Sequence, residues 1–94
     1  MQLDLNTKFL ELDGTESIQN ITMGQLLAQQ LATTKGKLNP LKTIPWALEL
    51  FKGVAIEIDK VDLNSLIDFI ETINTITPLA AYQLLEKLKK ISSE

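Results

Sequence analysis

A stretch of twenty residues, Ile44 to Leu63, constrains this chain more than any other. Ile44-Pro45-Trp46-Ala47-Leu48-Glu49-Leu50-Phe51-Lys52 carries apolar residues at helical spacing and stops at Gly53, the residue type that most often closes a helix. Val54, Ile56 and Ile58 then alternate with Ala55 and Glu57, the period of a half-buried strand. Asp59 follows as an N-cap, with Asp62 three positions on, where the helix dipole favours negative charge. A helix–strand–helix unit this short buries its apolar faces only against the rest of the chain. The core is therefore expected here, with Phe51 inside it and Trp46 either in the core or on an interface.

The N-terminal region supplies a partner for the strand. Leu3, Leu5 and Phe9 alternate with polar residues, the phase slips at Leu10 and Leu12, and Asp13-Gly14 has the composition of a type I′ hairpin turn. Thr15 to Asn20 would return as a weaker strand with Ile18 inward. An isolated five-residue strand is not stable, so residues 54–58 are expected to pair with residues 3–9 or with an arm of this hairpin.

Two further helices, and the start of the helix that closes on Gly53, are marked by their caps. Thr22-Met23-Gly24-Gln25 fits a capping box, followed by a stripe of Met23, Leu26, Leu27 and Leu31 with Ala28 and Ala32 beside it. Residues 33–37 end that helix and are expected to form a mobile loop. Asn39-Pro40 and Thr77-Pro78 pair a cap with proline at the first helical position. After Pro40, Leu41, Ile44, Leu48 and Phe51 line one face, and Pro45 leaves open whether residues 40–52 form one kinked helix or a turn and a shorter helix. Leu63, Leu66, Ile67, Ile70 and Ile73 form the stripe after Asp59; Ala81, Leu84, Leu85, Leu88 and Ile91 form that of the last helix. The expected fold is α+β, four helices with a small two- or three-stranded antiparallel sheet. It is one domain over residues 1–94, with a strand and hairpin region at 1–21 and helices from 22 onward interrupted by the strand at 54–58.

Composition removes much chemistry. Among 94 residues there is no cysteine, histidine or arginine, so thiol nucleophiles, imidazole bases, Cys/His zinc sites and bidentate guanidinium recognition are excluded. The acidic group Glu57, Asp59, Asp62, Asp68 and Glu71 is the nearest approach to a cation site, but apolar Val61 and Leu63 stand where an EF-hand loop needs oxygen ligands. It reads as capping and solvated helix surface. Gly36-Lys37 lacks the first glycine and the following hydroxyl of a phosphate loop. No cofactor, metal or catalytic residue is expected, and the chain is read as non-enzymatic.

Residues 22–52 can be drawn as a helix-turn-helix with Lys35, Lys37 and Lys42 near the turn. Its second helix is dominated by Trp46, Leu48, Leu50 and Phe51, however, and the net charge is −3, so a nucleic-acid-binding transcriptional regulator is only the alternative reading. No apolar run approaches the ~20 residues that span a bilayer, and the first residues lack a signal peptide's basic and apolar regions, so a cytoplasmic location is expected.

Four stripes on a domain this small exceed what one copy readily buries. A two-fold dimer is therefore expected, with Tyr82, Leu85 and Lys89 of the last helix along the contact and Trp46 as a further candidate interface residue.

Leu12-Asp13-Gly14-Thr15, Met23-Gly24-Gln25-Leu26-Leu27-Ala28, Trp46 to Gly53 and Ile56-Glu57-Ile58-Asp59-Lys60 together resemble small uncharacterised proteins encoded in bacteriophage and prophage gene clusters. These are structural signatures without attached chemistry. The resemblance implies a role in morphogenesis or host interaction, with phage structural or host proteins as partners, and no active site.

Overall fold

The computed structural model describes residues 1–15, 21–34 and 38–93. Its elements run β1 (Gln2–Leu3), α1 (Met23–Thr33), α2 (Pro40–Phe51), β2 (Ile56–Glu57), α3 (Lys60–Thr72) and α4 (Pro78–Ser92). This is an α+β fold in which the sheet is minor. β1 and β2 pair antiparallel, Gln2 opposite Glu57 and Leu3 opposite Ile56, and the Ile58 amide extends the ladder by donating to the Met1 carbonyl at 2.9 Å. Strand alternation sends Leu3 and Ile56 inward and Gln2 and Glu57 outward.

Val54 departs from the expected strand. Gly53 adopts φ +83°, its N–H donates to the Leu50 carbonyl at 3.1 Å, and the Val54 N–H reaches the Glu49 carbonyl at 3.0 Å. These bonds make a Schellman cap, so Val54 belongs to the end of α2 and is half exposed, while Ile56 and Ile58 are buried.

The turn expected at Asp13-Gly14 is present but of another type. Asp13-Gly14 does form a turn: the Glu11 amide donates to the Thr15 carbonyl at 2.7 Å, and the Asp13 carboxylate accepts from the amide and hydroxyl of Thr15. Only Gly14 has positive φ, so the turn is not type I′, which needs both central residues there. Leu10 and Leu12 are exposed and the buried pattern stops at Phe9. The return strand expected at Thr15 to Asn20 falls, from residue 16, outside the described residues, as do residues 35–37 of the expected mobile loop.

Residues 5–9 dock on the start of α1. The carbonyls of Leu5 and Thr7 accept from the amides of Gly24 and Met23, both at 2.8 Å, and Lys8 bridges to Thr22. These bonds satisfy donors that a first helical turn leaves without intrahelical partners. The Thr22/Gln25 capping box completes the end, with both reciprocal bonds at 3.0–3.1 Å. Asn39, Asp59 and Thr77 cap α2, α3 and α4 as their sequence positions imply.

α1 packs along α2 and α3 along α4, with residues 3–9 and β2 closing the interior. Leu3, Leu5, Leu27, Leu50, Leu63, Leu66, Ile70, Leu84 and Leu88 are fully buried.

Candidate interaction face

α2 is continuous from Pro40 to Phe51, passing through Pro45. Asn39 holds its start: the side-chain oxygen accepts from the Leu41 amide at 3.1 Å, and Pro40 occupies the first turn, where a missing N–H costs nothing. Pro45 has no N–H to offer the Leu41 carbonyl, and both residues lie on the exposed side of the helix.

The helix carries two apolar faces. Thr43, Ala47 and Leu50 are buried, with Trp46 half-buried against the core beside them. α1 comes closest at the far end of this face, where a Cβ on Gly24 would lie 2.9 Å from the Leu50 carbonyl oxygen. The face expected to turn inward, Leu41, Ile44, Leu48 and Phe51, lies mostly outward: Leu41 is 87% exposed, Leu48 59% and Phe51 50%, with only Ile44 half-buried. Phe51 is thus not a core residue. Spacings of three, four and three give this outer face the a/d pattern of a coiled-coil seam.

Two polar contacts accompany this rotation of α2. The Lys42 ammonium meets the Asp62 carboxylate at 2.7 Å, and that hydrogen bond, with the nearby negative charge of Asp62 and Asp59, holds Lys42 above the usual lysine range. At the other end the Gln25 side-chain amide donates to the Phe51 carbonyl at 3.5 Å. Turning the seam inward would break both.

The other anticipated residues distribute as follows. Trp46 borders a shallow cleft with Lys42, Glu57, Asp59 and Asp62, which brings together three members of the acidic group. Each of those carboxylates is engaged: Asp59 accepts from the Asp62 amide at 2.7 Å, Asp62 holds Lys42, and Glu57 holds the Met1 amino group at 3.0 Å. Asp68 and Glu71 lie apart from this cleft on the exposed side of α3. Among the described residues no group of three or more carboxylates is placed to hold a metal ion. On α4, Tyr82 is 65% exposed and hydrogen-bonded to Glu86, which pushes its phenol pKa up, and Lys89 is exposed. Leu85 is half-buried against the core, beside Ile70 and Ile73. The α4 face therefore presents one largely exposed apolar side chain.

One contact left no trace in the sequence pattern. The Gln83 side chain reads the backbone of Leu10 from both sides, accepting from its N–H and donating to its C=O, each at 2.8 Å. The clamp borders an open groove of about 380 Å³ whose lining mixes Phe9, Ile21, Leu26, Ile76 and Leu79 with polar Glu11, Gln29, Thr75 and Thr77. A glutamine on a helix facing solvent looks like ordinary surface until the fold brings an extended segment beside it.

No known family, curated protein or solved structure matches this chain. Among the described residues no helix is long and apolar enough to cross a membrane.

Proposed function

We propose that the protein is a non-enzymatic protein-interaction or assembly module whose docking face is the outward seam of α2. One observation carries the reading: three large apolar side chains, Leu41, Leu48 and Phe51, stand at seam spacing on a capped helix and remain half or more exposed. Full burial of such a side chain contributes ~1.5–3 kcal/mol, so covering these exposed fractions would yield roughly 3–6 kcal/mol per copy. A soluble domain leaves such a patch uncovered at the risk of aggregation, and patches of this kind mark interaction surfaces. The absence of cysteine, histidine and arginine supports the non-enzymatic part.

A bacteriophage or prophage setting, with structural or host proteins as partners, belongs to the same proposal and rests on the sequence resemblance. The alternative of a transcriptional regulator is disfavoured by the apolar outer face of α2 and by Lys42, which is paired with Asp62. The test is a photo-crosslinking amino acid placed at Leu48 in cells producing the protein, with the same residue at exposed Asn64 of α3 as control. A discrete protein adduct from position 48 and none from 64 is expected. Absence of any adduct from 48 would refute the reading.

A further inference from the structure

The α2 seam is self-complementary. Leu41 and Leu48 take the a positions and Ile44 and Phe51 the d positions of a heptad pattern. When two such helices run antiparallel about a two-fold axis level with Trp46, each a layer meets a d layer. Leu41 then faces Phe51 of the second copy, and Ile44 faces Leu48. Every large side chain of one seam finds an apolar partner in the other.

The flanking residues fit the same arrangement. Pro45 and Lys52 share the edge beside the seam; antiparallel alignment brings the two Pro45 residues together near the axis and sets the two Lys52 residues at opposite ends of the contact, ~18 Å apart along it, so no like charges meet. Parallel alignment would instead bring both Lys52 residues to the same end of the pair. The opposed macrodipoles also favour the antiparallel pair. The seam from Leu41 to Phe51 is ~15 Å long at 1.5 Å per residue. Its side chains offer roughly 400 Å² of apolar surface per copy, which with the flanking residues reaches the ~1,000 Å² total of the smallest specific interfaces. The anticipated contact through Tyr82, Leu85 and Lys89 has less to offer, because Leu85 already packs within the chain.

We propose that the occupant of the α2 seam is a second copy of this chain, docked antiparallel to form a two-fold dimer with α2 against α2. The inference rests on the reading of this face as a docking surface and names its partner. An interface at this low end of the size range belongs with weak, transient association, which places the expected dissociation constant at micromolar or weaker.

Sedimentation equilibrium from ~5 to ~500 μM brackets that range. The wild type should move from the monomer mass of 10.5 kDa toward twice that value as concentration rises. Leu48→Glu and Leu41→Glu should each remain monomeric at every concentration with an unchanged far-UV circular dichroism spectrum, since both positions are exposed in the monomer, while Asn64→Glu should still dimerise. The chain has no native cysteine, which permits a test of orientation. A mixture of Ile44→Cys and Leu48→Cys should oxidise chiefly to the mixed disulfide. A wild type that stays monomeric at the highest concentration, or a dimer that survives both glutamate variants, overturns the proposal. Predominant 44–44 and 48–48 disulfides overturn the antiparallel arrangement. A monomeric purified protein with a crosslinked adduct of different mass at Leu48 would retain the interaction face and remove self-association.

Discussion

Gly24→Ala places two physical rules in opposition at one position. Gly24 sits in the first turn of α1, is buried, and donates its N–H to the Leu5 carbonyl at 2.8 Å. By helix propensity alone alanine should stabilise, by at most ~1 kcal/mol. The surroundings reverse the sign. A Cβ there would lie 2.9 Å from the Leu50 carbonyl oxygen, 3.3 Å from the Leu5 carbonyl oxygen and 3.4 Å from the Leu5 Cβ. The closest of these is backbone, and no rotamer change relieves the clash. The Leu50 carbonyl also accepts the Gly53 N–H in the cap of α2, and the Leu5 carbonyl is the acceptor that docks the N-terminal segment. Separation of α1 from α2 would therefore loosen both. Overpacking of a close helix contact costs ~1–3 kcal/mol, and more when backbone must move. Net of the propensity gain, we expect a loss of about 1–2 kcal/mol, or a fall in Tm of about 5–10 °C for a domain of this size. Urea unfolding followed at 222 nm measures it, with Gln29→Ala on the exposed side of α1 as a neutral control. A Gly24→Ala protein as stable as the wild type would refute the close approach of α1 and α2 at this point.

Asp59→Ala should lose about 1 kcal/mol through the vacated N-cap of α3, while Asp59→Asn should be nearly silent because asparagine also caps, both read by urea unfolding. The Asp59→Asn protein should show no calcium- or magnesium-dependent change in Tm relative to wild type. Gln83→Ala should leave global stability within about 1 kcal/mol while speeding hydrogen exchange at the Leu10 amide, since the lost bonds are partly solvent-exposed; unchanged exchange would contradict the clamp. The Asp13 carboxyl is held below its ordinary value of 3.8 by hydrogen bonds from the Thr15 hydroxyl and amide. A depressed folded-state pKa means that its stabilising effect is present above pH ~3.8 and fades as pH falls through the folded value. Carboxyl NMR titration should show the depression, and Thr15→Ala should raise the pKa toward the ordinary range.

Much of the architecture is determined by the sequence alone, because it is written in local chemistry. The Thr22/Gln25 box, Asn39-Pro40, Asp59 and Thr77-Pro78 start their helices through bonds that span two or three residues, and Gly53 ends α2 because φ near +83° excludes most side chains. Pairing of β2 with the N-terminal segment was legible too, since a short strand needs a partner and residues 3–9 were the patterned candidate. Tertiary structure alone decided the rotation of α2. Both its apolar faces satisfy a helical period, so periodicity cannot choose between Thr43/Ala47/Leu50 and Leu41/Ile44/Leu48/Phe51. The observed rotation goes with the close approach of Gly24 in α1 to the Leu50 carbonyl, with Lys42 reaching Asp62, and with Gln25 meeting the end of the helix. The same holds for Val54, drawn out of strand phase by the cap of α2, for the close contact at Gly24, and for the hold of Gln83 on Leu10 across 73 residues of chain. Each depends on two segments far apart in the chain meeting at ångström range, and neither segment alone carries a pattern that encodes the meeting.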